Sequence, residues 1–456
     1  MMAEIINLNF IRDFFTKGNE RTLRAKKNIT VSFICKAFSI LISFLIVPLT
    51  LGYVGKVEYG IWITISAIIQ WFTFFDIGLG NGLRNKLAES LALGDVGMAR
   101  IYTSSVFALI TVIAFILFIG FFIAANFISW NSVLNTNVIS NKSLSTIVIM
   151  VFFFFCIGFV LGLVSSILEA RQQWALNDIL GLAAQLFGLL ALFILVKFTK
   201  GSLLYLCLVY GSKSAVVMFI AAIFLFLGPL KQFRPSIKYI QLRKAIPLIN
   251  LGIKFFIGQI LYLIVTQTSV ILVIQFFGPE DVTTFNLAVR YVSITSMGYM
   301  MVLTPFLSAF TEAYTKNDFS WIRNIIKKIN WIWMLTTLAT IIMIFCYKIF
   351  FKLWVGDKIV IPGSLIIALS FSSIISMWSG TFTLFLNGVG KIQLQLYLLG
   401  LQAILFFPLS YLFYRLEFGL ISIVAAQIIF YVSSASLFTI QYKKIIHKKA
   451  LGIWLK

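Results

Sequence analysis

The chain has 456 residues, of which 60% are hydrophobic and only 11% are charged. That balance excludes an ordinary soluble protein, because soluble domains carry about 25% charged residues. The sequence therefore predicts an integral membrane protein. The formal net charge is +22, but the basic residues are spread along the whole chain, which favours membrane topology and predicts no nucleic-acid partner.

Apolar runs of about 20 residues recur along the chain, and a helix of that length crosses the hydrocarbon layer of a bilayer. The runs are almost unbroken, whereas the strands of a transmembrane barrel alternate apolar and polar residues. We predict an all-α fold with about twelve spans. They lie at residues 30–52, 60–79, 101–129, 145–168, 177–196, 203–228, 252–277, 283–309, 331–351, 362–387, 393–414 and 419–440.

Residues 1–29 lack the apolar core and cleavage site of a signal peptide. Ile5, Phe10 and Phe14 are interspersed with basic residues, which is typical of a helix on the membrane surface, although a frayed basic tail fits equally well. At the other end, residues 441–456 form a second basic segment. The predicted cytoplasmic segments hold 26 of the 37 Lys and Arg residues and the external segments hold eight, which predicts that both termini are cytoplasmic.

Two halves are expected, because the long basic connection at residues 229–251 has six spans on either side. Gly55 follows span 1 and Gly278 follows span 7, and their separation of 223 residues indicates a weak internal repeat. Each half holds an even number of spans, so the repeats are expected to be parallel. We predict an N-lobe at residues 30–228 and a C-lobe at residues 252–440, around a central cavity.

Polar residues at helical spacing mark the two spans that open each half. Because these spans correspond between the halves, the polar stripes predict a water-filled cavity between two lobes. Its lining is predicted to include one residue from each of the four spans: Ser39, Gln70, Gln259 and Asn286. Such stripes also hydrogen-bond neighbouring helices in packed bundles, and that interpretation stays open.

Three basic residues lie at least six residues from either end of a predicted span, where a charge costs at least about 2.5–3.5 kcal/mol and is expected to face a cavity or a partner. Arg290 lies about 12 Å into its span. Its guanidinium fork suits phosphate oxygens, so it is the main candidate anion ligand. Lys36 is a second candidate, although it is close enough to the end of span 1 to reach the interface instead. Lys213 is a third, without a polar stripe around it.

The remaining candidates lie near the cytoplasmic ends of the spans. Asp76 is compatible with neutralising a cation, binding a coupling proton or sodium ion, or facing the inner headgroups. Arg84 and Lys254 are candidates for the mouth of the cavity, where positive charge attracts an anionic substrate, and the positive-inside rule explains them equally. With a single histidine, no Cys/His spacing and no Walker motif, the sequence predicts no metal and no cofactor.

Residues 75–89, FDIGLGNGLRNKLAE, resemble the signature after helix 2 of polysaccharide flippases of the O-antigen type, which belong to the multidrug/oligosaccharidyl-lipid/polysaccharide (MOP) exporter superfamily. Residues 251–260 and 306–313 extend the resemblance. It implies a two-lobe transporter, not an enzyme, that flips undecaprenyl-pyrophosphate-linked oligosaccharide across the bacterial cytoplasmic membrane by alternating access. Lys36 and Arg290 match positions where related flippases hold the pyrophosphate.

The same resemblance implies membrane lipids, a polysaccharide polymerase and a chain-length regulator as further partners. A second hypothesis is a small-molecule drug exporter of the same superfamily, whose cavity is expected to be acidic, whereas Lys36 and Arg290 outnumber Asp76 here. A third is a polymerase or ligase of polysaccharide assembly. The chain has no loop long enough for the external catalytic region that we expect of such an enzyme.

Overall fold

The computed structural model of the protein describes residues 20–76, 78–244, 260, 261, 264, 267–304, 306–357 and 359–455. These ranges are dominated by α-helices and contain no strand. Nine of the helices found there are long and apolar enough to cross a membrane. The predicted class, an all-α multi-pass membrane protein, is confirmed. The surface helix predicted at the N-terminus falls largely outside the described residues.

The helices are numbered here in chain order. The first half contains α1 Glu20–Gln70, α2 Leu79–Ala92, α3 Val96–Ala125, α4 Trp130–Val133, α5 Asn141–Leu161, α6 Leu163–Ala170, α7 Trp174–Phe198 and α8 Leu203–Leu227. The second half contains α9 Gln267–Phe277, α10 Pro279–Leu303, α11 Phe306–Thr315, α12 Phe319–Val355, α13 Gly363–Val389, α14 Gln393–Arg415 and α15 Ile421–Ile446. Short 3₁₀ turns occupy Trp71–Asp76, Lys231–Phe233, Ile237–Tyr239 and Gly452–Leu455.

The difference between twelve predicted spans and nine long apolar helices has three sources. α1 carries predicted spans 1 and 2 in one element, which departs from helical geometry at Gly55. α10, which contains most of span 8, is not one of the nine because charged and polar residues lower its hydropathy. Much of span 7 lies outside the described residues. The twelve-helix, two-lobe arrangement therefore stays a prediction.

A pair of glycines and a pair of helix-capping aspartates support the predicted internal repeat. Gly55 has φ 80° and ψ 177°, and Gly278, 223 residues later, has φ 91° and ψ 176°. The same offset relates Asp95 to Asp318, each of which caps a long helix: Asp95 Oδ1 accepts the Met98 N–H over 2.8 Å, and Asp318 Oδ1 accepts the Trp321 N–H over 3.0 Å. Equal backbone geometry at one fixed offset is expected of parallel repeats.

The described residues cluster into two compact units, which do not follow the midpoint of the chain. The first contains residues up to 55, 72–130 and 139–244, and its core includes Leu83, Val106 and Phe233. The second contains residues 56–71, 131–138 and those from 260 onward, and its core includes Phe310 and Phe385. The lobe boundaries derived from the sequence stay a prediction.

Candidate functional site

Arg290 lies in the second unit on α10, whose first turn is fixed by two special residues. Gly278 has a positive φ that favours glycine, and Pro279 occupies the first helical turn, where its missing N–H is not needed. Asn286 precedes Arg290 by one turn, so both side chains share a face. The Oδ1 atom of Asn286 is buried and has no hydrogen-bond partner in the described ranges. A bare acceptor beside a cation is a place where a polar ligand can bind.

The second part of α1 crosses the start of α10 at very short range. A Cβ atom on Gly60 would lie 1.8 Å from the carbonyl oxygen of Pro279, so only glycine fits without a backbone shift. The hydroxyl of Thr283 donates to the carbonyl oxygen of Lys56 over 2.6 Å. Together these contacts fix where the two helices cross.

Tyr59 immediately precedes this crossing and lies near Arg290. The tyrosine is 4% exposed, and its hydroxyl lies within electrostatic range of the Arg290 guanidinium. Nearby, Lys56 Nζ lies 3.2 Å from Glu280 Oε2, which ties the same two helices together at a more exposed position. Arg290 itself is half-buried. Arg290 is thus a half-buried guanidinium two turns beyond the crossing on the same helix, and such a group suits bidentate binding of phosphate oxygens.

Tyr59 was not singled out from the sequence. A tyrosine in an apolar span is common, and nothing in its spacing marks it. Its relation to Arg290 depends on the close crossing at Gly60, which joins segments more than 200 residues apart. Gly60 can be read from the sequence as a possible site of close helix packing. The sequence does not show that α10 is the helix that packs against it.

Lys213 lies in the first unit, where its side chain packs across a glycine of the neighbouring helix. A Cβ atom on Gly188 of α7 would lie 2.9 Å from the Lys213 Cδ atom. The ammonium group is 5.1 Å from the centre of the Tyr210 ring, and the Tyr210 hydroxyl is 2.7 Å from Thr50 Oγ1. The cation therefore has an aromatic neighbour and a fitted groove between α7 and α8. These contacts give it a structural role beside the predicted anion-binding role.

Lys36 also belongs to the first unit, on the first part of α1, and its surroundings are more open. The side chain is exposed, and Ser39, one turn further along, is half-buried. Gln70, at the other end of α1 and in the second unit, is exposed. Lys254 and Gln259, the other cation and amide predicted to line the cavity, lie outside the described residues.

Asp76 caps α2 inside the motif that carried the family resemblance. The backbone N–H of Gly80 donates to both carboxylate oxygens, over 3.0 and 3.2 Å. Gly78, the residue immediately before α2, has a φ of 73°, and a Cβ atom on Gly80 would lie 3.2 Å from the Ser166 hydroxyl oxygen. The spacing of Asp76, Gly78 and Gly80 is thus explained by a sharp helix start with a carboxylate at its positive end. Ion coupling by Asp76 stays a prediction.

Arg84, predicted at the mouth of the cavity, is paired with an acidic residue of the same unit. Its NH1 atom lies 3.3 Å from Glu169 Oε2, and both side chains are partly exposed. The Nδ2 atom of Asn177 also donates to Glu169, over 3.5 Å. Glu169 was not singled out from the sequence, although an acidic residue at the end of predicted span 4 could have been proposed as a partner of Arg84. The pair joins α2 to α6 and reduces the net charge that Arg84 offers to a substrate.

The fold is that of transporters of the MOP superfamily. The structure resembles an inward-facing multidrug resistance MATE family transporter of that superfamily with a TM-score of 0.68 and 16% identity, covering 93% of this chain and 96% of that one. It also resembles a Vibrio cholerae MATE transporter with a TM-score of 0.63 and 12% identity, covering 95% of this chain and 99% of that one. At these identities the likeness concerns the fold alone.

Residues 25–311 match the model of the family described as polysaccharide biosynthesis protein. The match spans more than half of the sequence, so the chain belongs to that family. A protein of Yersinia pseudotuberculosis that is named for O-antigen export is 25% identical over 361 residues, which cover 78% of this chain and 81% of the relative. The family predicted from residues 75–89 is thereby confirmed.

Proposed function

We propose that this protein flips lipid-linked oligosaccharide repeat units from the cytoplasmic to the outer leaflet of the bacterial cytoplasmic membrane, by alternating access. The substrate class is an undecaprenyl-pyrophosphate-linked precursor of a surface polysaccharide. Membership of the polysaccharide biosynthesis family and a relative named for O-antigen export support this class of cargo. The same relatives favour a transporter over an enzyme. A polymerase and a chain-length regulator are the proposed partners, and both termini are proposed to be cytoplasmic.

The observation that carries the proposal is the half-buried guanidinium of Arg290 on α10, one turn from the unsatisfied oxygen of Asn286. A pyrophosphate presents several charged oxygens, and an arginine can bind two of them at once through parallel N–H donors. The buried, unsatisfied oxygen of Asn286 one turn away suits a hydroxyl of the attached sugar. We propose Arg290 as the principal anion ligand, with Lys36 and Lys213 as secondary cations.

The membrane potential supplies one source of energy for this step. Moving two negative charges outward across an inside-negative membrane releases about 4–5 kcal/mol per 100 mV, because each elementary charge contributes about 2.3 kcal/mol. Flipping in vesicles is therefore expected to accelerate when an inside-negative potential is imposed. A rate that is indifferent to the potential and to proton and sodium gradients would contradict this coupling.

The test is gene deletion in the host, followed by complementation with the wild type, Arg290→Ala or Arg323→Ala. Arg323 is an exposed cation on α12 and serves as the matched control. Surface polysaccharide, lipid-linked repeat units in the cytoplasmic leaflet and the amount of inserted protein are measured together. The proposal predicts that deletion abolishes the polymer, that Arg323→Ala restores it, and that Arg290→Ala inserts normally yet fails to restore it.

The same strains separate the flippase from a drug exporter, which the MATE-like fold would also accommodate. Drug resistance that changes with Arg290→Ala while the polysaccharide stays intact would favour export of small molecules. Polysaccharide that is unaffected by deletion would refute the proposed cargo.

A further inference from the structure

The basic connection after α8 is more ordered than a simple linker. Its described part, residues 229–244, is named here the strap. It contains five Lys or Arg residues and no acidic residue, and it begins directly where α8, a candidate membrane span, ends. Since the strap is predicted to be cytoplasmic, it lies at the level where α8 leaves the inner leaflet.

Buried side chains and stacking fix the strap to the first unit. Leu230 and Phe233 are completely buried in its core. The guanidinium of Arg171 donates to the carbonyl oxygen of Pro229 over 2.9 Å. The guanidinium of Arg100 lies 4.2 Å from the centre of the Tyr239 ring. These contacts hold the near face of the strap in place.

Backbone hydrogen bonds to the start of α3 set the register of the strap. The N–H of Ser236 donates to Ser104 Oγ over 3.1 Å, and the N–H of Gln241 donates to Ser105 Oγ over 2.8 Å. Two adjacent serines on α3 thus anchor positions five residues apart. The strap is therefore held to α3 at two points, and the side chains between the anchors that are exposed lie on its outer face.

The outer face of the strap combines positive charge with exposed apolar side chains. Ile237, between the two anchors, is 88% exposed, and Leu242 is 53% exposed. The basic side chains around them are also exposed; they are Lys231, Arg234, Lys238 and Arg243. Lys244 is exposed too, but its ammonium group contacts Met98 Sδ of α3 over 3.3 Å. Apolar side chains that stand out among cations are typical of elements that rest on a membrane surface. No neighbouring acidic residue within the strap competes with an external anion.

We propose that the outer face of the strap is a docking surface for anionic phospholipid headgroups of the cytoplasmic leaflet. The cations contact the phosphates, and Ile237 and Leu242 enter the boundary between headgroups and acyl chains. Charge complementarity selects this occupant, because the cytoplasmic leaflet carries a negative surface potential that attracts basic segments beside membrane spans. This interaction concerns bilayer lipid and does not depend on the proposed cargo.

The experiment uses the full-length protein in nanodiscs, with an environment-sensitive fluorophore on Ile237→Cys in a Cys346→Ser background, since Cys346 is the exposed native cysteine of the described chain. Val138→Cys is the matched control, because Val138 is 67% exposed in a loop of the second unit. Emission and protection from an aqueous quencher are compared in neutral lipid and in neutral lipid containing phosphatidylglycerol.

The expected result is a blue shift and loss of quenching at position 237 when phosphatidylglycerol is present, with little change at position 138. Arg234→Gln with Lys238→Gln should remove this response, and inorganic phosphate should not reproduce it. A probe at position 237 that stays open to quencher in all lipids would overturn the proposal. So would an equal response at position 138, or a response to isoprenoid pyrophosphate without one to phosphatidylglycerol.

Discussion

Lys36 and Arg290 are both cations within predicted spans, but their surroundings differ. Lys36 is exposed on the first part of α1, with a half-buried Ser39 one turn away. Arg290 is half-buried beside Tyr59, which is itself almost fully enclosed. A flexible, exposed ammonium group gives up conformational freedom when it binds, whereas a half-buried guanidinium has less of that freedom to lose. The comparison teaches that position within a span alone does not rank candidate ligands.

The largest effect is expected at Arg290. Arg290→Ala removes two charge-assisted hydrogen bonds, each contributing about 1.5–3 kcal/mol, so binding of the lipid-linked pyrophosphate should weaken roughly 100-fold or more. Arg290→Lys keeps the charge but loses the bidentate geometry and should retain intermediate affinity. The measurement is a binding isotherm for the purified protein. Equal affinities of Arg290→Ala and the wild type would contradict the proposal that Arg290 binds the substrate more strongly than Lys36 does.

A smaller effect on transport is expected from Gly60→Ala. This substitution should disturb the crossing between α1 and α10, the helix that carries Arg290. The added Cβ atom would collide with the carbonyl oxygen of Pro279, and forcing an atom into a packed contact typically costs about 1–3 kcal/mol. Both thermal stability in detergent and transport should fall.

Gly52→Ala is the control for that substitution, because Gly52 is a helical glycine before the break at Gly55 and no atom lies within 4 Å of a Cβ placed there. It should leave stability unchanged or raise it slightly, since alanine favours helix more than glycine does. If Gly52→Ala destabilised the protein as much as Gly60→Ala does, the close contact at the helix crossing would not explain the effect of Gly60→Ala.

Asp76 permits a test that separates capping from ion coupling. Asn caps helices nearly as well as Asp, so Asp76→Asn should preserve stability and transport, whereas Asp76→Ala should cost about 1 kcal/mol. Stability to heating and the response of transport to an imposed pH gradient are measured for both variants. If Asp76→Asn abolishes the pH response, Asp76 is a coupling residue and the cap is a secondary role.

The smallest effect is expected at Lys36. An exposed ion pair contributes at most about 1 kcal/mol, so Lys36→Gln should weaken substrate binding no more than about fivefold. The same isotherm used for Arg290 provides the measurement. A loss at Lys36 as large as that at Arg290 would mean that the exposed lysine becomes enclosed when substrate binds.

Much of the fold could be predicted from the sequence, because the membrane requires long apolar helices whose signal is strong. The glycine pair at positions 55 and 278 also gave the repeat offset, and both residues have the same backbone geometry. Gly55 has non-helical dihedral angles within α1, where the sequence predicts the break between spans 1 and 2. The helical end of span 2 was less well predicted, because α1 ends at Gln70 and a 3₁₀ turn at Trp71–Asp76 follows it.

The candidate site was only partly predictable, because tertiary contacts assign roles that spacing does not show. Helical phase placed Asn286 and Arg290 on one face, but Tyr59 and the crossing at Gly60 depend on a packing partner far away in sequence. The motif at residues 75–89 identified the family, while the hydrogen bonds of Asp76 explain its pattern as a helix start. Similarly, the basic connection at residues 229–251 was predicted as a linker, but its first part is anchored to α3.

The most direct test of the central claim is flipping of an undecaprenyl-pyrophosphate-linked repeat unit in proteoliposomes that contain the purified protein. The sugar in one leaflet is read by a membrane-impermeant modifying enzyme, and Arg290→Ala is compared with Arg323→Ala at equal protein incorporation. The account predicts rapid transfer with the wild type and with Arg323→Ala, and little transfer above protein-free vesicles with Arg290→Ala. Transfer by Arg290→Ala at the wild-type rate would contradict it.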